Sequence, residues 1–187
     1  MSYQVIRDTC QLISQGDLDT ARLRILSGFP FVPLENAGRN YSDVQKTQIF
    51  IRDGFIDRYS GEKLVFPPVL RLMSKLMSDE FPYHSNWKMS ECHIAYWQLS
   101  PTIDHIVPVA RGGADEESNW ACTSQLRNSA KANWLLEELG WELHPPGDLR
   151  EWDGLLHWYV DYANDHAEIK ADPWFRGWLR TAENVIN

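Results

Sequence analysis

Asp104 and His105 stand side by side in the short apolar run "PTIDHIV". Imidazole is the side chain whose unperturbed pKa lets it take up a proton near neutral pH. Arg111, Gly112 and Gly113 follow, then Asn119, Asn128 and Lys131. Arg127 and Lys131 are four residues apart and so share one helix face, and with Arg111 they are the cations of this stretch available to phosphates. Singly, each feature has a commonplace reading: a packed strand histidine, a glycine turn, an asparagine cap. Gathered within the 34 residues 101–134, they suit proton-transfer chemistry on an anionic substrate.

The elements that must position these groups can be read from pattern. Residues 102–107 are expected to form a strand, "ARGGADEES" a turn, 120–123 a second strand, and "SQLRNSAKANWLLEELG" one helix, capped by Ser124 and ended by Gly140. Successive strand side chains face opposite ways. Asp104 and His105 can therefore serve one site only if the strand is distorted, or if the shared ligand lies to one side.

Upstream, Val5, Ile6, Cys10 and Ile13 recur at helical spacing, and Asp17 or Asp19 can cap a second helix ending at Ser27-Gly28. "FPFVPLENAGRN" reads as loop; a helix then runs from Ser42 to about Arg52, closed by Gly54. Leu64, Val65 and Phe66 are expected as a short strand ending at Pro67-Pro68, followed by a helix with Val69, Leu72, Met73 and Leu76 on one face. "PYHSNWKMSECHIAYWQLS" is an aromatic-rich ordered loop with one helical turn. A helix over 149–163 and another from Pro173 complete the chain. The fold class is α+β and mainly helical. Three regions are expected: helical 1–54, a core at 55–144 with an insertion at 67–100, and acidic helical 145–187.

The formal net charge of the 187-residue chain is −8, an unpromising sum for contact with nucleic acid. Its distribution is uneven. Residues 1–100 carry 11 basic and 11 acidic side chains, 101–134 carry 3 and 4, and 135–187 carry 4 and 11. The acidity is thus a C-terminal property, read as solvated helix faces or as a surface shielding a neighbouring site. Three cysteines without C-x-x-C spacing suggest neither a disulfide framework nor a cysteine zinc site. With no apolar run of membrane-spanning length, the chain is expected to be soluble and cytoplasmic, with no membrane partner. Nine tryptophans are read as core filler, since large aromatics dominate buried area.

The order apolar-Asp-His-apolar-x-Pro, then Arg-Gly-Gly, Asn, and Asn-x-x-Lys resembles the HNH endonucleases and their ββα-metal motif. Its landmarks fall on His105, Asn119 and Asn128, separated by 14 and 9 residues. The resemblance implies a ββα-metal core with N- and C-terminal helical additions, and hydrolysis of DNA phosphodiester bonds. It assigns His105 as general base and counts Asn119 with it in the catalytic set, the Asn119 amide tying the turn to the first strand without touching substrate. Asp104 and Asn128 would hold one divalent ion, Mg2+ or Mn2+, as hard oxygen donors, while Arg111, Arg127 and Lys131 would meet the DNA. One such site nicks one strand, so a homodimer or a regulatory partner is an open possibility. The positions that carry zinc-binding cysteines in many members fall on Asp57, Ser60, Ser124 and Arg127, so no structural zinc is expected. Aromatic packing from Tyr59, Phe66 or Trp120 would replace it. The rival reading is a catalytically silent module that kept the fold for binding nucleic acid or protein.

Overall fold

The computed structural model describes residues 2–31 and 41–186. It divides into two compact units, 1–38 and 39–187. The loop expected at "FPFVPLENAGRN" falls mostly outside the described residues.

The first unit is a helical hairpin of α1 (Ser2–Ser14) and α2 (Leu18–Gly28). Asp17 caps α2 by accepting the Thr20 N–H at 3.1 Å. Val5, Thr9 and Ala21 are its buried residues, and Arg24 crosses to Asp8 at 3.0 Å.

In the second unit α3 (Asp43–Arg52) begins at a capping box, Ser42 and Gln45 exchanging side-chain and backbone hydrogen bonds. α4 (Pro67–Leu76) starts on its two prolines and buries Val69, Leu70 and Leu72. α5 (Ala95–Leu99) is the helical turn of the aromatic segment. β1 (Pro101–His105) pairs antiparallel with β2 (Trp120–Ser124), and Ser124 caps α6 (Gln125–Lys131). α7 (Leu136–Leu139), α8 (Leu156–Asp165), α9 (Ala167–Ala171) and α10 (Pro173–Ile186) follow. Phe66 lies near the centre of the core, edge-on to Phe55, Tyr159 and Trp178 at centroid distances of 6.1, 5.6 and 5.5 Å. The motif hairpin, α3 and the acidic C-terminal helices thus belong to one packed body. Among the described residues no helix is long and apolar enough to cross a membrane.

Three elements differ from expectation. Leu64, Val65 and Phe66 are buried but form no ladder, because their N–H groups go to three places: the carbonyls of Phe55, Leu99 and Gly154. Only the bridge Ile56–Lys63 is strand-like there. The single helix expected to run from Ser124 to Gly140 is two. Ala132 adopts φ +46°, and α7 restarts where Glu138 accepts the Leu135 N–H at 2.8 Å. The helix expected over 149–163 begins only at Leu156, since Gly154 and Leu155 are both left-handed. There Asp153 takes the N–H groups of Leu155 and His157 at 2.9 and 3.2 Å and so acts as the cap.

Candidate active site

The hairpin register is one-to-one, from Pro101 opposite Ser124 to His105 opposite Trp120. No bulge turns the strand, so Asp104 and His105 leave it on opposite faces. Of the two ways they could share a ligand, only a position to one side, past the end of β1, remains.

On one face Asp104 Oδ2 accepts the Tyr59 hydroxyl at 2.8 Å and pairs with Lys131 Nζ at 2.8 Å. Lys131 also donates to the His105 carbonyl at 2.7 Å. Burial first, and then the charge of Asp104, hold the Tyr59 hydroxyl far above the ordinary phenol range, so it stays a donor. Asp104 Oδ1 accepts no hydrogen bond among the described residues, nor is it an orphaned buried atom. Asn128 sits on α6 three residues before Lys131, on the same helix face and half-buried.

On the other face His105 Nε2 lies 2.7 Å from Asp115 Oδ1. The Trp120 indole N–H is 3.2 Å from both atoms, and the Tyr41 hydroxyl donates to the same carboxylate oxygen at 3.0 Å. The hydrogen bond to His105 is the leading cause that holds the Asp115 carboxyl below its usual range. If Nε2 carries the proton it donates to Asp115, and the Trp120 indole N–H then goes to the Asp115 carboxylate.

Between the strands, the Asn119 carboxamide closes the loop. Its Oδ1 accepts the Val107 N–H at 2.9 Å, and its Nδ2 donates to the carbonyls of Val107 and Ala114 at 2.9 and 2.8 Å. Gly112 turns the chain at φ +88°. Gly113 presses so close to the Val107 carbonyl and the Asn119 amide that a Cβ there would overlap both.

Two of the three cations expected on DNA are held by carboxylates. Lys131 is fully buried and does not reach a phosphate surface: its ammonium is spent on Asp104 and the β1 backbone. Arg111 is held by both oxygens of Glu138, at 3.0 and 3.2 Å. Arg127 lies 5.1 Å from the centre of the Trp141 ring.

No family model, curated protein or solved structure matches the chain.

Two kinds of contact tie the segments together beneath the hairpin. Aromatic packing contributes, with Tyr59 and Trp141 rings 6.0 Å apart, but a carboxylate makes the tie. Asp57, 1% exposed, accepts the Tyr59 N–H at 2.9 Å, the Thr123 hydroxyl at 3.0 Å and the Ser124 N–H at 2.9 Å. Beside it, fully buried Asp53 receives Arg52, Arg58 and the Cys122 N–H. Asp53, Asp57 and Asp115 are not among the partners expected from the sequence, where Tyr59 figures only as aromatic packing. Only the place of Asp57 in the cysteine alignment hinted at one of them. Further off, His84 and Glu91 approach to 3.5 Å and His93 stacks on Phe81, and no cluster of three or more His, Cys, Asp or Glu suited to a metal occurs among the described residues.

Proposed function

We propose that the chain is a metal-dependent HNH-type endonuclease that hydrolyses DNA phosphodiester bonds. The observation that carries this reading is the seating of α6 on the Asp104-His105 dipeptide. Lys131 Nζ bonds the carboxylate of one residue and the carbonyl of the other, which brings the Asn128-bearing face of α6 to the end of β1.

In this reading His105 takes a proton from the attacking water. Asp115 and Trp120 fix the ring plane, and Asn119 holds the 107–119 loop closed beneath it. Lys131 and Tyr59 occupy Oδ2 of Asp104 and so fix which way Oδ1 faces. The donor set fits a hard divalent ion: Oδ1 of Asp104 and the Asn128 carboxamide are two oxygens, with the remaining positions left to water and phosphate. Such an ion supplies charge neutralisation at the phosphate and stabilisation of the departing oxygen.

The silent-module reading keeps one argument of its own. His105 is 5% exposed, and Arg111 and Lys131 are both held by carboxylates. Supercoiled plasmid incubated with the protein and Mg2+ or Mn2+, beside His105→Ala, separates the two. Nicked circles from the wild type alone, dependent on metal, support the nuclease. Identical plasmid profiles for both proteins across metals and salt establish the module.

A further inference from the structure

The first residues of the motif strand, Pro101 and Thr102, border a cavity. This cavity of about 300 Å³ opens between α3, α4, α10 and the segment leading into β1, at the lower end of the size range of small-molecule sites. Tyr83, Trp87, Tyr96, Trp174 and Trp178 wall it, and its cations are Arg71 and Lys46, the latter paired with Asp43 at 3.2 Å.

Arg71 is unlike most arginines of this acidic chain. Arg7, Arg22, Arg24, Arg52, Arg58 and Arg150 each pair with an aspartate, and Arg111 pairs with Glu138. Among the described residues Arg71 has no carboxylate partner. Its guanidinium instead lies 3.5 Å from the Tyr83 ring centre and 5.6 Å from that of Trp174. A guanidinium held flat by rings keeps its charge and in-plane donors for an anion.

Trp87 is the second observation. It holds φ at +51°, a conformation costly for a bulky side chain. Its ring meets Tyr96 and Trp97 edge-on, at 5.4 and 6.1 Å. Ser100, Thr102 and Gln125 add polar groups at the rim. The cavity therefore offers ring faces, hydrogen-bonding edges and an uncompensated cation together.

We propose that this cavity binds a nucleotide, its base stacked against Trp87 and the neighbouring rings and its phosphate on Arg71 and Lys46. Base–aromatic stacking tolerates any base, and a cation beside the rings selects the charged backbone unit. Thr102 precedes Asp104 by two residues on the same strand face, about 7 Å along β1. A nucleotide held here would lie one step along a strand from the proposed hydrolytic centre. The proposal rests on that centre only for this purpose; binding itself needs neither metal nor His105.

The test is done with EDTA present. Calorimetry with each of the four deoxynucleoside monophosphates, and anisotropy with a labelled single-stranded oligonucleotide of about twelve nucleotides, measure affinity. Wild type and His105→Ala should bind alike. Trp87→Leu and Arg71→Gln should each weaken binding about tenfold or more, Arg71→Lys should recover part of the loss, and Arg150→Gln should change nothing. Binding of monophosphates assigns a free-nucleotide site, and binding of the oligonucleotide alone assigns a strand site. As a measurement independent of the folding of Trp87→Leu, the wild type is also photo-crosslinked to an oligonucleotide carrying 5-bromodeoxyuridine. Attachment within 83–87 or at Trp174 supports the proposal. No binding of either probe, equal affinity in folded Arg71→Gln, or attachment confined to other regions overturns it. Loss of binding with plasmid nicking retained defeats this site alone, and the converse defeats the nuclease alone.

Discussion

Asp57 and Asp104 are both buried carboxylates that serve the same hairpin, yet they are satisfied in different ways. Both oxygens of Asp57 are filled, by two backbone N–H groups and a hydroxyl, and all three donors belong to the segments it joins. Asp104 has two strong donors on Oδ2 and none among the described residues on Oδ1. A fully satisfied buried acid is a structural tie; a half-satisfied one, held in orientation by a buried lysine and a buried tyrosine, keeps coordination capacity in reserve. The contrast separates a group that builds the site from one that can act in it.

The largest expected effect lies with the partner of Asp104 across the strand. His105→Ala should lower metal-dependent nicking about 10²- to 10⁴-fold while costing only about 1–2 kcal/mol of stability, measured by plasmid conversion and urea unfolding on the same preparation. Nicking unaffected by the change would assign the activity to another site. Asp57→Asn should show the opposite pattern. It removes a charged acceptor from three buried donors, at a cost of about 3–5 kcal/mol in urea unfolding, with nicking per folded molecule little changed. Stability near wild type would mean that the aromatic contact of Tyr59 with Trp141, not the carboxylate, holds the two segments together.

The Asp104–Lys131 pair sharpens the comparison further. Asp104→Asn leaves a fully buried ammonium without its counter-charge, so about 3 kcal/mol should be lost. Adding Lys131→Met removes the stranded charge and should return at least about 1 kcal/mol of that loss. Nicking should stay absent in the double variant, because the proposed ion ligand is gone. Recovery of cleavage along with stability would reduce Asp104 to a packing residue.

Local chemistry explains which of these roles the sequence could announce. The hairpin, its glycine turn and the Ser124 cap are short-range signals, and each emerged close to its expected place. Asn119 was also legible, because its partners are only 5 and 12 residues away along the loop. Asp57 reaches donors 66 and 67 residues distant, a distance at which no periodicity carries information. Lys131 misled for a related reason. Its four-residue spacing from Arg127 describes a shared helix face but not what that face covers, and here it covers the end of β1. The break at Ala132 falls where neither glycine nor proline marks a stop. The late start of α8 depends on left-handed Gly154 and Leu155, of which only the glycine gives a sequence signal.

The smallest effect concerns the charge that the proposed site lacks. Glu138 holds Arg111 through two hydrogen bonds, and these are the leading cause that keeps the Glu138 carboxyl below its usual range. The folded value is depressed, so the contact is complete above the ordinary glutamate pKa and is lost as the pH falls through the lowered one. At neutral pH, therefore, Arg111 is engaged, and DNA must compete for it. Glu138→Gln should release it, raising affinity for a short duplex about two- to fivefold and steepening the salt dependence by about one phosphate contact. The measurement is anisotropy against salt concentration at constant pH. An unchanged slope would place Arg111 off the DNA path, and the comparison of structural with functional charges would then assign it, like Lys131, to the architecture.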